Sequence, residues 1–334
     1  MTSSSTTSPS HLTRGYLSAL AAAAVLSTTA VFIRYLVNTY ALPPLVLALW
    51  RDAFVVLTLV VALAALRIPF RQVSRQNLRL LAAYGFVLAS FNATWTFSVA
   101  LNGAALATVL AYSSAAFTAL LGWWLLKERL GWAKLLAVAL SLGGCVLVSG
   151  ALDAAAWQAN LGGIVTGVLA GLCYAGYSLM GRVASQRGLN PWVTLLYTFG
   201  FATLFLLAAN LLPGGILPGA AAHPAELLWL GNVLSGWGVL FLLAAGPTVL
   251  GFGLYNLSLS HLPSSVANLI VTLEPAFTAA IAYVLLGERL NGVQIGGSLL
   301  ILSGVALMRA YEGWLARRAA AGAASVAGAG GEIG

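Results

Sequence analysis

Uninterrupted apolar runs of twenty or more residues recur along this chain from Leu12 to Tyr311. No soluble fold of 334 residues can bury that many. A run of that length is what a helix needs to cross the hydrocarbon of a bilayer. Charge is correspondingly scarce, at 7% of residues, whereas a soluble domain carries about a quarter. Backbone groups in lipid must bond within their own segment, so the runs are helices. A β-barrel would instead alternate polar and apolar residues in short strands. The expected fold is an all-α polytopic membrane protein.

Ten spans are predicted, at 13–36, 42–66, 77–100, 103–126, 132–151, 161–183, 190–212, 237–261, 264–286 and 292–311. The Ser/Thr-rich start (1–10) and the Ala/Gly tail (319–334) offer nothing to pack and are expected to be disordered. Residues 11–151 and 161–311 each hold five spans. The first span is too long for a signal-peptide core and is expected to stay. With the N-terminus inside, thirteen of the sixteen Lys and Arg residues fall on the cytoplasmic side, as the positive-inside rule requires. Both termini are then cytoplasmic, and the bacterial inner membrane is the expected location. The net charge of +8 is thus an orientation signal, and nucleic acid is not an expected partner.

The chain also repeats itself. Phe117–Leu130 and Phe277–Leu290 share eight of fourteen residues without a gap, at an offset of 160. Spans 3–5 map onto spans 8–10 at that offset. Spans 1–2 map onto spans 6–7 at an offset of 148, which places Arg34 on Arg182 and Pro43 on Pro191. Five is odd, so the second copy crosses the bilayer in the opposite sense. Two inverted copies supply two related conformations, each open to one side, around a site near the midplane. An alternating-access transporter follows.

The span-9 stretch "LEPAFTAAIAYVLLGERL" (Leu273–Leu290), with ten spans in two copies, resembles the EamA-type members of the drug/metabolite transporter superfamily. "LSTTAVFIR" (Leu26–Arg34) is similar to span 1 of the YddG-type aromatic amino-acid exporters in that superfamily. Departures exist: Leu26 stands where that family often has Trp, and Ser114–Ala115 occupies the place of Glu274–Pro275 in the first copy. The resemblance implies a metabolite exporter, with amino acids as its first candidate cargo.

Transport needs a polar path, so polar and aromatic groups at mid-span are the candidate substrate contacts. These are Asn92 and Trp95 in span 3, Tyr112 in span 4, Tyr174 and Tyr177 in span 6, Tyr255 and Asn256 in span 8, and Asn268 in span 9. Aromatics with a polar handle suit amphipathic organic solutes. The competing reading is that they only pack helices, at about 0.6 kcal/mol per interhelical hydrogen bond. A central cavity lined by neutral aromatic residues is expected, suited to large apolar or aromatic amino acids. Drugs or nucleosides are the alternative cargo.

Three intramembrane charges call for partners: Arg51, Asp52 and Glu274. A charge at bilayer centre costs at least ~2.5–3.5 kcal/mol. Arg51 and Asp52 are adjacent, about 100° apart around a helix, so separate partners are expected for them. Glu274 is read either as a protonatable coupling group or as a structural cap at Pro275, with the structural role preferred. Gly246, Pro247, Gly251, Gly253 and Pro275 interrupt spans 8 and 9 and are candidate hinges.

Other classes are poorly served. No G-x-x-x-x-G-K-[ST] loop exists to hold a nucleotide. No nucleophile–base pair or metal-ligand spacing appears at depth, so neither an intramembrane enzyme nor a cofactor or metal is expected. A channel stays as a distant alternative. The expected partners are a small-molecule substrate and the lipid bilayer. The chain is expected to work as a monomer, with a dimer left open.

Overall fold

The computed structural model describes residues 9–70, 73–127, 131–148, 161–212, 217–274 and 276–277, and between 281 and 317 residues 281, 292–293, 295–304, 306–307, 310–311, 314 and 317. The chain is all-helical across them. The helices are α1 (Pro9–Leu26), α2 (Thr29–Tyr40), α3 (Pro44–Ala65), α4 (Arg75–Ala111), α5 (Ser114–Leu126), α6 (Trp132–Val148) and α7 (Leu161–Gln186). There follow α8 (Pro191–Asn210), α9 (Leu234–Leu243), α10 (Val249–His261), α11 (Ser264–Val271) and α12 (Ile295–Gly304). Six segments are long and apolar enough to cross a membrane: Leu12–Tyr40, Pro44–Ala65, Arg75–Leu101, Leu161–Gln186, Pro191–Asn210 and Leu234–His261. Pro9 and Ser10, expected to be disordered, begin α1; the rest of the expected tails, Pro275 and most of Phe277–Leu290 lie outside the described residues.

Helix starts follow from local chemistry. Pro44 and Pro191 stand at the first positions of α3 and α8, where a missing N–H costs nothing. Asn190 caps α8 by accepting from the backbone N–H groups of Trp192 and Val193.

Helical conformation runs unbroken from Arg75 to Ala111, yet α4 is not one rod. Ser98 Oγ and Leu110 Cβ lie 2.8 and 2.5 Å from the point a Cβ on Gly167 would occupy. An unbroken helix would hold them ~18 Å apart. The chain therefore reverses between them, and the two limbs of α4 run antiparallel against α7. The small-residue face of α7 receives both limbs: Gly163 accepts a hydrogen bond from Ser98, and the backbone oxygens of Leu110 and Ala111 come within 3.1 Å of Gly171's missing Cβ.

Breaks interrupt four of the expected spans, the first, fourth, eighth and ninth. Turns fall at Ser27–Thr28, Tyr112–Ser113 and Thr272–Leu273, and a π-helical turn spans Ala244–Thr248 around Pro247. At each turn a hydroxyl donates to the carbonyl three residues back. Ser27 bonds Ala24 at 2.6 Å, Thr28 bonds Val25 at 2.8 Å, Ser113 bonds Leu110 at 2.6 Å and Thr272 bonds Leu269 at 2.5 Å. The carbonyls of Val25, Leu110 and Leu269 also accept the backbone N–H of the same residue, so amide and hydroxyl close those turns together. The turns at 112–113 and 272–273 are related by the repeat offset of 160.

Both ends of the bundle are tied. At one, the segment Leu217–Val233 packs over the first copy: the Trp50 indole donates to the Leu227 carbonyl at 2.6 Å, Trp229 to Tyr40 at 3.0 Å, and Asn210 to Leu45 at 3.2 Å. At the other, Gly15 abuts His261 and Leu262, Tyr197 donates to the Phe70 carbonyl, and Lys134 donates to Ser265 at 2.7 Å.

Candidate functional site

Three of the four breaks border one cavity of about 50 Å³, and the helix that follows the π-helical turn reaches it too. Leu26 and Thr29 flank the first turn, Ala111 and Tyr112 belong to the second, Glu274 follows the third, and Phe252 follows the π-helical turn. Arg51 from α3, Phe91 and Trp95 from α4, and Tyr174 from α7 complete the lining. Irregular backbone at membrane depth is tolerated where it faces protein or a polar cavity, and here it does.

The aromatic wall is continuous. Phe91 stacks on Tyr174 at 5.0 Å between ring centroids and lies 6.3 Å from Trp95, nearly parallel to it. Tyr174 stacks in turn on Tyr177 (6.1 Å) and Tyr255 (5.6 Å). Such offset stacks stabilise a rigid surface as well as an apolar one.

Of the residues expected to touch substrate, Trp95, Tyr112 and Tyr174 line the cavity. Asn92, Tyr177, Tyr255, Asn256 and Asn268 do not line it; each is bonded inside the protein, although among the described residues Asn92 Oδ1 and Asn256 Nδ2 are left buried without a partner. Tyr84 and Tyr177 both donate to Asn256 Oδ1, at 3.3 and 3.2 Å. Ser178 and Tyr255 share a hydrogen bond of 2.6 Å, and Asn268 Nδ2 donates to Ser178 at 3.2 Å. Asn268 Oδ1 accepts from Ser114 at 3.3 Å, which ties the two copies together at the breaks. Asn92 Nδ2 reaches both Asp52 oxygens, at 3.0 and 2.7 Å. These groups hold the wall that the other three expose.

Leu26, Thr29, Phe91, Ala111 and Phe252 also line the cavity and were not among the expected contacts. Phe91 is four residues before Trp95, on the same helix face, and that spacing was the available signal. The others depend on how separate helices meet, which spacing along the chain does not carry.

Two expectations about charge are corrected. The lining is not neutral, since Arg51 and Glu274 both reach it. Arg51 and Asp52 do not find wholly separate partners either. Arg51 Nε meets Asp52 Oδ1 at 3.4 Å, because a long guanidinium side chain can fold back on its neighbour where a short one cannot. The contact is edge-on and long, so it leaves Nη2 buried without a hydrogen-bond partner. Among the described residues Glu274 makes no ion pair with an arginine, and its Oε2 accepts from the Tyr112 hydroxyl at 2.6 Å.

The candidate hinges divide. Gly246 and Pro247 sit in the π-helical turn, and a Cβ on Gly246 would meet open space. Gly251 packs against Leu26, with Leu26 Cγ 2.6 Å from its missing Cβ, and Gly253 lies under the Trp192 ring. Those two are sites of close approach between helices.

The profile of the EamA-like transporter family matches twice, over residues 13–150 and 161–310. The chain belongs to the EamA-like transporter family. As an EamA-like chain it is a multi-pass membrane transporter rather than an enzyme. Among similar proteins is a Salmonella typhimurium protein described as a "probable amino-acid metabolite efflux pump". It is 27% identical over 279 residues, which cover 82% of this chain and 88% of that protein. An uncharacterised transporter of Synechocystis sp. is 27% identical over 232 residues, covering 68% of this chain and 65% of that protein. A crystal structure superposes with a TM-score of 0.67 at 19% identity, covering 90% of this chain and 97% of that one, which shows a shared fold.

Proposed function

We propose that this EamA-like protein is a secondary alternating-access exporter of small amphipathic metabolites, with amino acids bearing aromatic or large apolar side chains as its cargo. The carrying observation is the cavity bordered by three helix breaks and walled by Phe91, Trp95, Tyr112, Tyr174 and Phe252. The efflux-pump description of the Salmonella relative supports the same class of cargo. Ten spans in two inverted copies, with both termini in the cytoplasm of a bacterial cell, complete the reading. The charge asymmetry supports it, as does the reversal of α4 between Ser98 and Leu110, which accounts for spans 3 and 4. The chain acts as a monomer on a small-molecule substrate within the lipid bilayer.

A cavity of about 50 Å³ is smaller than the roughly 300–1,000 Å³ of a ligand pocket, so the structure holds a closed state that must widen to load. The test is efflux from proteoliposomes preloaded with a mixed amino-acid pool and followed by mass spectrometry. Aromatic and large apolar amino acids should leave selectively. Trp95→Ala and Tyr174→Ala should each slow that efflux about tenfold without loss of folded protein, since each removes ring surface from the wall. Efflux of nucleosides or cationic drugs, with amino acids retained, would replace the cargo named here. Wild-type rates in both variants would move the site elsewhere.

A further inference from the structure

We infer that Arg51 and Glu274 form a clamp for a zwitterion. Arg51, together with Thr29, takes the substrate carboxylate, and Glu274, held by Tyr112, takes its ammonium group. The inference rests on the amino-acid reading above and assigns its two charge-recognition residues.

Arg51 is 2% exposed and lines the cavity. Its Nε side is occupied by Asp52, and Asp52 is itself fixed by two bonds from Asn92. That arrangement anchors the guanidinium from behind and leaves Nη2 without a partner. The hydroxyl of Thr29 lines the same cavity and is likewise buried and unpartnered. Two donors without an acceptor, in one small cavity, describe a site that lacks its anion. A carboxylate fits, because its two oxygens match the flat donor edge of a guanidinium.

Glu274 supplies the opposite end. Its Oε2 is held by Tyr112 at 2.6 Å, and among the described residues Oε1 takes no hydrogen bond. An ionised carboxylate only accepts, so it matches the three donors of an ammonium group. Counted with Asp52, the site holds one cation and two carboxylates, so an anion would add to the excess negative charge, whereas a zwitterion leaves the balance unchanged and answers Arg51 and Glu274 together. Phe91, Trp95 and Tyr174 then face the apolar side chain.

Neither charge is duplicated by the repeat. The position matching Arg51 is Phe199 and the position matching Glu274 is Ser114. The cation belongs to the first copy and the anion to the second, so a bound amino acid bridges the two halves that must move relative to each other.

The decisive experiment loads wild-type proteoliposomes with equal amounts of L-phenylalanine, L-phenylalaninamide, which lacks the carboxylate, and 3-phenylpropionate, which lacks the ammonium. Efflux above that from empty liposomes is read by mass spectrometry. Phenylalanine should leave at least about tenfold faster than either analogue, the scale of one hydrogen bond to a charged group. Arg51→Gln should bring the phenylalanine-to-amide ratio close to one, and Glu274→Gln should do the same for the phenylalanine-to-acid ratio. If the amide and the acid leave the wild type as fast as phenylalanine, the clamp is wrong while amino-acid export stands. That arm needs no variant to fold. Equal slowing of all three compounds in either variant would assign its residue to structure and overturn the clamp. If no amino acid leaves the wild type, the export reading fails and the clamp fails with it.

Discussion

A buried charge survives in a bilayer only when the groups around it replace water, and Asp52 is where that requirement is concentrated. It accepts from Arg51 at 3.4 Å and from Asn92 at 3.0 and 2.7 Å while wholly buried. Asp52→Asn keeps the shape but removes the counter-charge, so the Arg51 cation is left in the interior. That should cost about 3 kcal/mol, the scale for an unpaired charge at membrane depth or a broken buried pair. Asn268→Ala removes hydrogen bonds between neutral groups and should cost about 0.6–1.7 kcal/mol. Thermal unfolding in detergent should therefore show Asp52→Asn melting well below Asn268→Ala. The reverse order would mean that Arg51 is balanced by something other than Asp52. At this scale the sequence was partly legible. Charges inside apolar runs stood out, and so did Trp95, Tyr112 and Tyr174. The asparagines and remaining tyrosines carried the same signal but are used on one another, because hydrogen-bond pairing between helices is invisible to spacing within a helix.

Breaks in helices, not helices themselves, build this cavity, and their legibility differs from break to break. Pro247 announced the π-helical turn, whereas Pro275, the expected cause of a break in span 9, lies outside the described residues. The turn at Tyr112–Ser113 has no proline. It is accompanied by a Ser113 hydroxyl bonded three residues back, but hydroxyls elsewhere bond four residues back inside intact helices, as Thr58, Ser90, Thr96 and Thr198 do. The residue type is the same and the outcome depends on what packs beside it. Glycines separate in the same way. A Cβ at Gly171 would press on Ser113 and lie 3.1 Å from the backbone oxygens of Leu110 and Ala111, which cannot swing aside. At Gly246 it would meet open space. Gly171→Ala should thus lower the melting temperature and slow transport by pushing α7 from the second break. Gly246→Ala should leave the fold intact or raise its stability by about 0.5–1 kcal/mol, the usual gain from reduced chain entropy. Melting curves for the two variants check this. Equal melting temperatures would show that α7 does not need the close approach seen at Gly171.

On the alternating-access reading proposed above, the molecule opens to either side around the cavity of about 50 Å³, and the ties at each end set which opening is favoured. Trp50 is the strongest candidate tie at the end covered by residues 217–233. Its indole donates to Leu227 at 2.6 Å, and its ring meets Trp237 edge-on at 5.0 Å. One part-buried hydrogen bond and one aromatic pair together contribute about 2 kcal/mol, enough to shift an opening equilibrium roughly thirtyfold. The ties at the opposite end, Gly15 on Leu262 and Lys134 on Ser265, do not involve this residue and should hold. Trp50→Ala should therefore open the cavity toward the Trp50 end alone. Ala111 lines the cavity and is 9% exposed, so a cysteine there reports access once Cys145 and Cys173 have been replaced by serine. A membrane-impermeant maleimide should label Ala111→Cys severalfold faster from the Trp50 side in the Trp50→Ala background, and no faster from the other side. Faster labelling from both sides would mean that the bundle has loosened as a whole. Faster labelling from the far side alone would invert the assignment of the tie. The sequence announced two copies, which the family profile matches in turn. It did not announce which contacts hold them shut, because Trp50, Leu227 and Trp237 are brought together only by the fold.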